Sequence, residues 1–261
     1  MASACALLLA AALAAPGGVA KVALGGGAQP PQTTLDGNRV MVMRDEKGWC
    51  AVVGVPLSAK PGEKLVLDVR YPDERRVHRE ITVRHRKYAS QRLKVPPDQA
   101  ELGPEQLAQY ERERKHLQEV LRTFSDPPPA SLALRAPVEG RRSGSFGLRR
   151  IINDEPRSPH SGMDIAADAG TPVAATAAGR VLDVGEYLFL GRTVILDHGQ
   201  GLLSLYAHLS EVSAARDQDV APGVIIGKVG ASGRATGPHL HFSVYLNTAA
   251  VDPALFLGDK P

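Results

Sequence analysis

Gly237-Pro238-His239-Leu240-His241-Phe242-Ser243-Val244-Tyr245 is the stretch on which the reading of this chain turns. Successive side chains of a strand point to opposite faces, so His239 and His241 share one face and Leu240 takes the other. The surrounding half has the same character. Thr171 to Ala174, Gly179 to Val184, Thr193 to Leu196, Leu203 to Tyr206 and Val224 to Val229 are short apolar or β-branched runs separated by Gly-containing turns. Such punctuation predicts an antiparallel β domain without a long helix over 131–261.

Two further motifs belong with the first. His160-Ser161-Gly162-Met163-Asp164 carries a histidine and a carboxylate four positions apart, a spacing that puts both on one face of a helix or a strand. Tyr206-Ala207-His208-Leu209 adds another histidine. Two neutral imidazoles and one carboxylate, with a position left open, are a ligand set suited to catalytic zinc. A structural zinc site would instead be closed, usually by cysteines, and this half has none. His160, Asp164 and His241 supply the set. His208 and His239 are left beside it, able to take a proton from water or to steady an oxyanion. His198, in Asp197-His198-Gly199-Gln200-Gly201, belongs to a strand-ending turn, while Tyr206 either packs in the core or lines a cleft.

The first half reads as a separate β unit. Val40 to Met43, Cys50 to Val55, Lys64 to Val69 and Ile81 to Val83 are strand-like, broken at Asp36-Gly37, Lys60-Pro61-Gly62 and Tyr71-Pro72-Asp73. A small immunoglobulin-like β-sandwich over 15–94 follows, with Trp49 in its core. The segment 95–130 is a helical linker. Pro104 suits a first helical turn, Leu107, Tyr110, Leu117, Leu121 and Phe124 form an apolar stripe, and Ser125-Asp126-Pro127-Pro128-Pro129 ends it. An amphipathic helix must cover such a stripe, which places it between the two β domains. The apolar, Ala-rich 1–14 reads as a secretory signal, although no Lys or Arg precedes its apolar run. With Cys5 in that leader, Cys50 has no internal disulfide partner. A net charge of +3 is too small to argue for nucleic acid, and none is expected as a partner. The basic stretch Arg75 to Lys94 is either a solvated sheet face or a weak attractor of anionic polymer.

The motifs together resemble the lysostaphin/LytM-type zinc metallopeptidases. The resemblance runs from about 136 to 254, through Ser145-Phe146-Gly147-Leu148-Arg149, the His160 to Asp164 motif, Gly170-Thr171-Pro172-Val173, Asp197-His198-Gly199, Leu205 to Leu209, and Gly230 through His241-Phe242. It implies one zinc per chain on His160, Asp164 and His241, with His208 and His239 acting on the water and the transition state. It implies hydrolysis of peptidoglycan cross-links, in Gram-negative members the bond between D-alanine and meso-diaminopimelate. The β domain ahead and Tyr88 to Leu93 resemble the N-terminal part of periplasmic members. The rival reading is a non-catalytic relative that has lost zinc ligands and activates cell-wall amidases. The expected protein is a monomeric periplasmic or secreted enzyme acting on peptidoglycan peptides, with no nucleic acid partner and no stable membrane insertion.

Overall fold

A computed structural model describes residues 12–96, 101–144 and 146–258. The strands are β1 (Ala12–Ala14), β2 (Val19–Gly25), β3 (Gln32–Leu35), β4 (Asn38–Arg39), β5 (Met41–Asp45), β6 (Gly48–Gly54), β7 (Lys64–Arg70), β8 (Arg76–Val83) and β9 (Ser90–Leu93). Helix α1 (Pro104–Val120) comes next. It is followed by β10 (Arg141–Gly144), β11 (Arg149–Ile152), β12 (Glu155–Pro156), β13 (Met163–Ala166), β14 (Pro172–Ala174), β15 (Gly179–Tyr187), β16 (Gly191–Asp197), β17 (Leu203–Val212), β18 (Asp219–Val220), β19 (Ile225–Val229), β20 (Leu240–Leu246) and β21 (Ala249–Val251).

The first unit is a sandwich of β1-β8-β7-β3-β4 on β2-β6-β5. Its construction is plain in β7, where Leu65, Leu67 and Val69 are buried and Val66 and Asp68 are not. The inward residues meet Val22, Leu24, Val53 and Ile81 in one core, and Trp49 packs at its margin with its indole N–H donating to the Gly27 carbonyl. β1, the last three residues of the segment read as a leader, pairs in parallel with β8. Residues 1–11 lie outside the described part.

The second unit is one large sheet, ordered β10-β13-β20-β17-β16-β15-β18, with β21 on β20 and β19 joining β17 to β14. Every pairing in it is antiparallel. Met163, Ile165, Val194, Leu196, Tyr206, Leu240, Phe242 and Val244 turn to the main core. By strand alternation Asp164, Ile195, Leu205, Ala207, His241, Ser243 and Tyr245 occupy the opposite face.

Helix α1 lies on that opposite face, and here the expectation of a helix between the domains is corrected. Val120 packs with Ile195, Leu205 and Ala207, joined by Leu117, Leu182 and Leu190. The face it presents runs back through His116, Glu113 and Tyr110, while Leu107 of the expected stripe is 46% exposed. Polar anchors set this register. Glu113 accepts from the Leu188 N–H at 2.9 Å, and His116 Nε2 lies 3.2 Å from buried Asp183. The space between the units is taken by the sheets themselves. Met41 and Val52 enter the second unit's core, and Asn247 exchanges two hydrogen bonds with the Gly54 backbone. The chain just beyond α1 reaches the sandwich, where Arg39 stacks 3.9 Å from the Phe124 ring centre.

A third, small sheet, β12-β11-β9, ties the units together through a parallel pairing of β9 with β11.

Candidate metal centre

β13 and β20 build the centre. Their antiparallel register places Asp164 directly opposite His241, both on the face away from the core. On the other side His241 stands opposite Ala207 of β17, so a small residue leaves the imidazole room. His160 comes from the irregular segment before β13, not from a helix or strand. The expected i,i+4 face is thus replaced by an irregular stretch held by backbone hydrogen bonds to residues 147 and 148. The His160 N–H donates to the Leu148 carbonyl at 3.0 Å, and its carbonyl accepts from Gly147 at 2.8 Å.

Three ligand-type atoms converge. His241 Nδ1 is 2.9 Å from Asp164 Oδ1, His160 Nε2 is 3.2 Å from the same oxygen, and the two nitrogens are 3.1 Å apart. Ligand atoms at about 2.0–2.1 Å from a tetrahedral zinc lie about 3.3 Å from one another. These separations are within a few tenths of an ångström of that, so the residues fit such an ion in donor type and spacing. Burial alone would raise the Asp164 pKa. The hydrogen bonds and charges of His160 and His241 outweigh it and hold the carboxyl well below the usual range. Burial pulls His241 down, against the opposing pull of Asp164. An ionised carboxylate and neutral imidazoles are the forms that bind a metal.

The other face of His241 is fixed by a residue that motif reading missed. Its Nε2 lies 3.0 Å from the Ser243 hydroxyl, and Tyr245 follows two positions further along the same strand face. The signal was available: Ser243 and Tyr245 follow His241 at alternate strand positions, which share its face. Gly162 was also missed. A Cβ there would stand 2.7 Å from the His241 ring and 2.4 Å from Ser243 Oγ.

His208 and His239 stand together at the margin, ring centres 4.7 Å apart, with His239 Nε2 3.8 Å from Asp164 Oδ1. Each is oriented by a carbonyl, which can only accept. His208 Nδ1 donates to Ser232 and His239 Nδ1 to Gly237, both at 2.8 Å, so in the neutral rings Nε2 carries the lone pair. Strict alternation would send His208 to the core side with Tyr206. Instead the β16–β17 register slips there, His208 adopts φ +63°, and its N–H donates to Leu190. Burial first, then the neighbouring His241 and His239, pull its pKa down to about 4 against the Ser232 hydrogen bond.

Two other residues are placed elsewhere. His198 is buried between the Ala178 carbonyl and Ser204 Oγ. Tyr206 is wholly buried, its hydroxyl bonded to Thr176 and Ser204.

The sequence pattern of Peptidase family M23 matches residues 158–253, and that of the Peptidase family M23 N-terminal domain matches 13–83. A solved Pseudomonas aeruginosa structure assigned to peptidase M23 superposes with a TM-score of 0.79 at 42% identity, covering 94% of this chain and 95% of that one. Among curated proteins, the DD-carboxypeptidase/endopeptidase Mpg of Neisseria meningitidis is 45% identical over 116 residues, 44% of this chain and 27% of the relative. The peptidoglycan DD-endopeptidase ShyA of Vibrio cholerae is 36% identical over 121 residues, 45% of this chain and 28% of the relative. The matched part spans only about a quarter of these curated relatives' lengths.

Proposed function

The chain belongs to peptidase family M23, and from that premise we propose that it is a zinc-dependent endopeptidase that hydrolyses peptide cross-links of peptidoglycan. The observation that carries this reading is the convergence of His160 Nε2, Asp164 Oδ1 and His241 Nδ1 within 4.8 Å, with two carbonyl-oriented histidines beside them. The relatives named DD-endopeptidases favour the D-alanine–meso-diaminopimelate bond.

In this reading His160, Asp164 and His241 hold one zinc ion. Zinc supplies Lewis-acid polarisation of a carbonyl and brings the pKa of water towards about 7. The chain's own residues do the rest. His208, neutral above about pH 4, takes a proton at Nε2 from the water that adds to the scissile carbonyl carbon. His239 presents its Nε2 across the same space and, in the form that already carries a second proton taken from solvent, donates a hydrogen bond to the developing oxyanion and keeps that proton. When the carbon–nitrogen bond breaks, a protonated imidazole returns its proton to the departing amine. Ser243 holds His241 in the ring orientation that leaves Nδ1 for the metal.

The amidase-activator reading is disfavoured because every residue the chemistry needs is present and convergent. We assign the protein to the periplasm or the exterior, where its substrate lies. No helix among the described residues is long and apolar enough to cross a membrane. Purified sacculi incubated with the protein, with and without chelator, test the proposal. Muropeptides with newly opened cross-links, identified by mass and lost on chelation, are expected. Unchanged sacculi under a zinc-loaded, folded protein would overturn it.

A further inference from the structure

The positive charge of this chain is concentrated in two segments distant in sequence. Residues 84–94 and 141–157 hold ten Lys and Arg against two acids, while the remainder carries a net charge of −5. The fold brings them side by side. β9 and β11 pair in parallel, Ser90 beside Arg149 through Leu93 beside Ile152. Neighbours in parallel register share a face, and so do alternate residues along a strand. Arg149, Arg92 and Lys94 therefore stand in one row.

The row is exposed and only partly neutralised. Asp154 pairs with Lys94 and, at 3.5 Å, with Arg92. Arg149 is exposed, and among the described residues it has no acidic partner. Arg86, by contrast, is committed to Asp252 at 2.8 Å and serves the domain junction. The row also abuts the metal centre. Leu148, the residue before Arg149, accepts the hydrogen bond from the His160 N–H. Alternate strand positions are about 6.6 Å apart, so three of them span about 13 Å. That length suits an extended chain bearing several carboxylates better than a single compact anion.

We propose that the β9–β11 row is a docking strip for the free carboxylates of the peptide that enters the metal centre. This rests on the peptidoglycan reading, whose peptide stems are acidic. The strip gives the substrate its direction: the acidic stem lies along Arg149, Arg92 and Lys94, and the bond to be cut reaches past His160.

The test is co-sedimentation of the full chain with purified sacculi, untreated or with their carboxyls converted to amides, across a salt series. Native protein is expected to bind untreated sacculi about tenfold more tightly than amidated ones, with the difference shrinking in high salt. Arg92→Gln/Arg149→Gln should bind both alike, and Arg92→Lys/Arg149→Lys should restore most of the preference. Asp154→Asn, which frees Arg92 and Lys94, should strengthen binding to untreated sacculi, and this arm remains informative if the double Gln variant does not fold. Equal binding of native protein to both sacculi, or a folded Gln variant with full preference, would overturn the strip. Loss of binding to anionic phospholipid vesicles but not to sacculi would assign the row to a membrane surface and overturn it too. Cleavage measured in the same tubes reports separately on the hydrolytic reading, since binding needs no turnover.

Discussion

Gly162 sits midway between His160 and Asp164, and its missing side chain is a condition of the site. Gly162→Ala must push the His241 ring or the Ser243 hydroxyl aside. Because support around a ligand is worth about 10–100-fold in metal affinity, we expect that loss in zinc affinity, read by competition with a chromophoric chelator. Unchanged affinity would mean that the segment before β13 shifts freely. Removing His160, Asp164 or His241 should instead abolish stoichiometric zinc, as two protein ligands rarely hold catalytic zinc. His208→Ala and His239→Ala should keep zinc yet lose about a hundredfold or more in kcat. Either arriving without metal would redraw the roles. The buried histidines also set an acid limit. In chelator-stripped protein, burial keeps His198, His208 and His241 below their usual pKa of about 6.5. The unfolded chain takes up those protons as pH falls through about 6.5 and the folded chain refuses them, so stability drops below that pH and is flat above it. Urea unfolding at pH 5.5 should show a lower stability than at pH 7.5, by about 1.4 kcal/mol for each ring the fold keeps neutral. A rise instead would mean that these rings are charged in the fold. At this scale motif and resemblance picked out the five residues that the fold brings together. The sequence could not show how His208 reaches them, because that depends on a register slip, and period-two alternation points the other way.

Elements show a similar division. The strands were legible where apolar runs are bounded by Gly or Pro, as in β6, β7, β15 and β20. β13 was not, because Met163-Asp164-Ile165-Ala166 is short and is defined by its neighbours β10 and β20. Helix α1 was legible as a helix but not in its docking, since the face it buries includes Glu113 and His116, residues that a hydrophobic stripe overlooks. Those anchors connect α1 to the turn that holds His208. Glu113 holds Leu188, Tyr110 meets Phe189 edge-on at 5.3 Å, and the same turn offers carbonyls to the His208 and Arg234 N–H groups. Glu113→Ala with Tyr110→Ala should therefore lower kcat about ten- to a hundredfold with zinc content and KM little changed, the scale of a slightly misplaced catalytic group. Native kcat in a folded variant would show that α1 only covers the sheet.

On the scale of the whole molecule, the motifs sit in the second unit, and the sequence alone implies that 131–261 suffices for bond-breaking. The packing narrows that expectation. A cut near residue 130 removes Val120 from the Ile195, Leu205, Ala207 cluster, Met41 and Val52 from the main core, and β9 from β11. A fragment from 104, which keeps α1, should melt several degrees above a fragment from 130, and both below the full chain, because each lost apolar contact re-exposes buried surface. Equal melting temperatures would make the first 130 residues an independent attachment. None of these interfaces was legible beforehand, since they join segments far apart in sequence through ordinary aliphatic side chains or backbone pairing. The central claim, that one metal on His160, Asp164 and His241 drives peptide hydrolysis, is tested most directly by zinc titration of chelator-stripped full chain while cleavage of a cross-linked muropeptide dimer is followed. The account predicts no cleavage without zinc, a rise proportional to added zinc, and a plateau at about one equivalent, with Asp164→Ala inert throughout. Cleavage by the stripped protein, or an Asp164→Ala variant that responds to zinc as the native chain does, would contradict it.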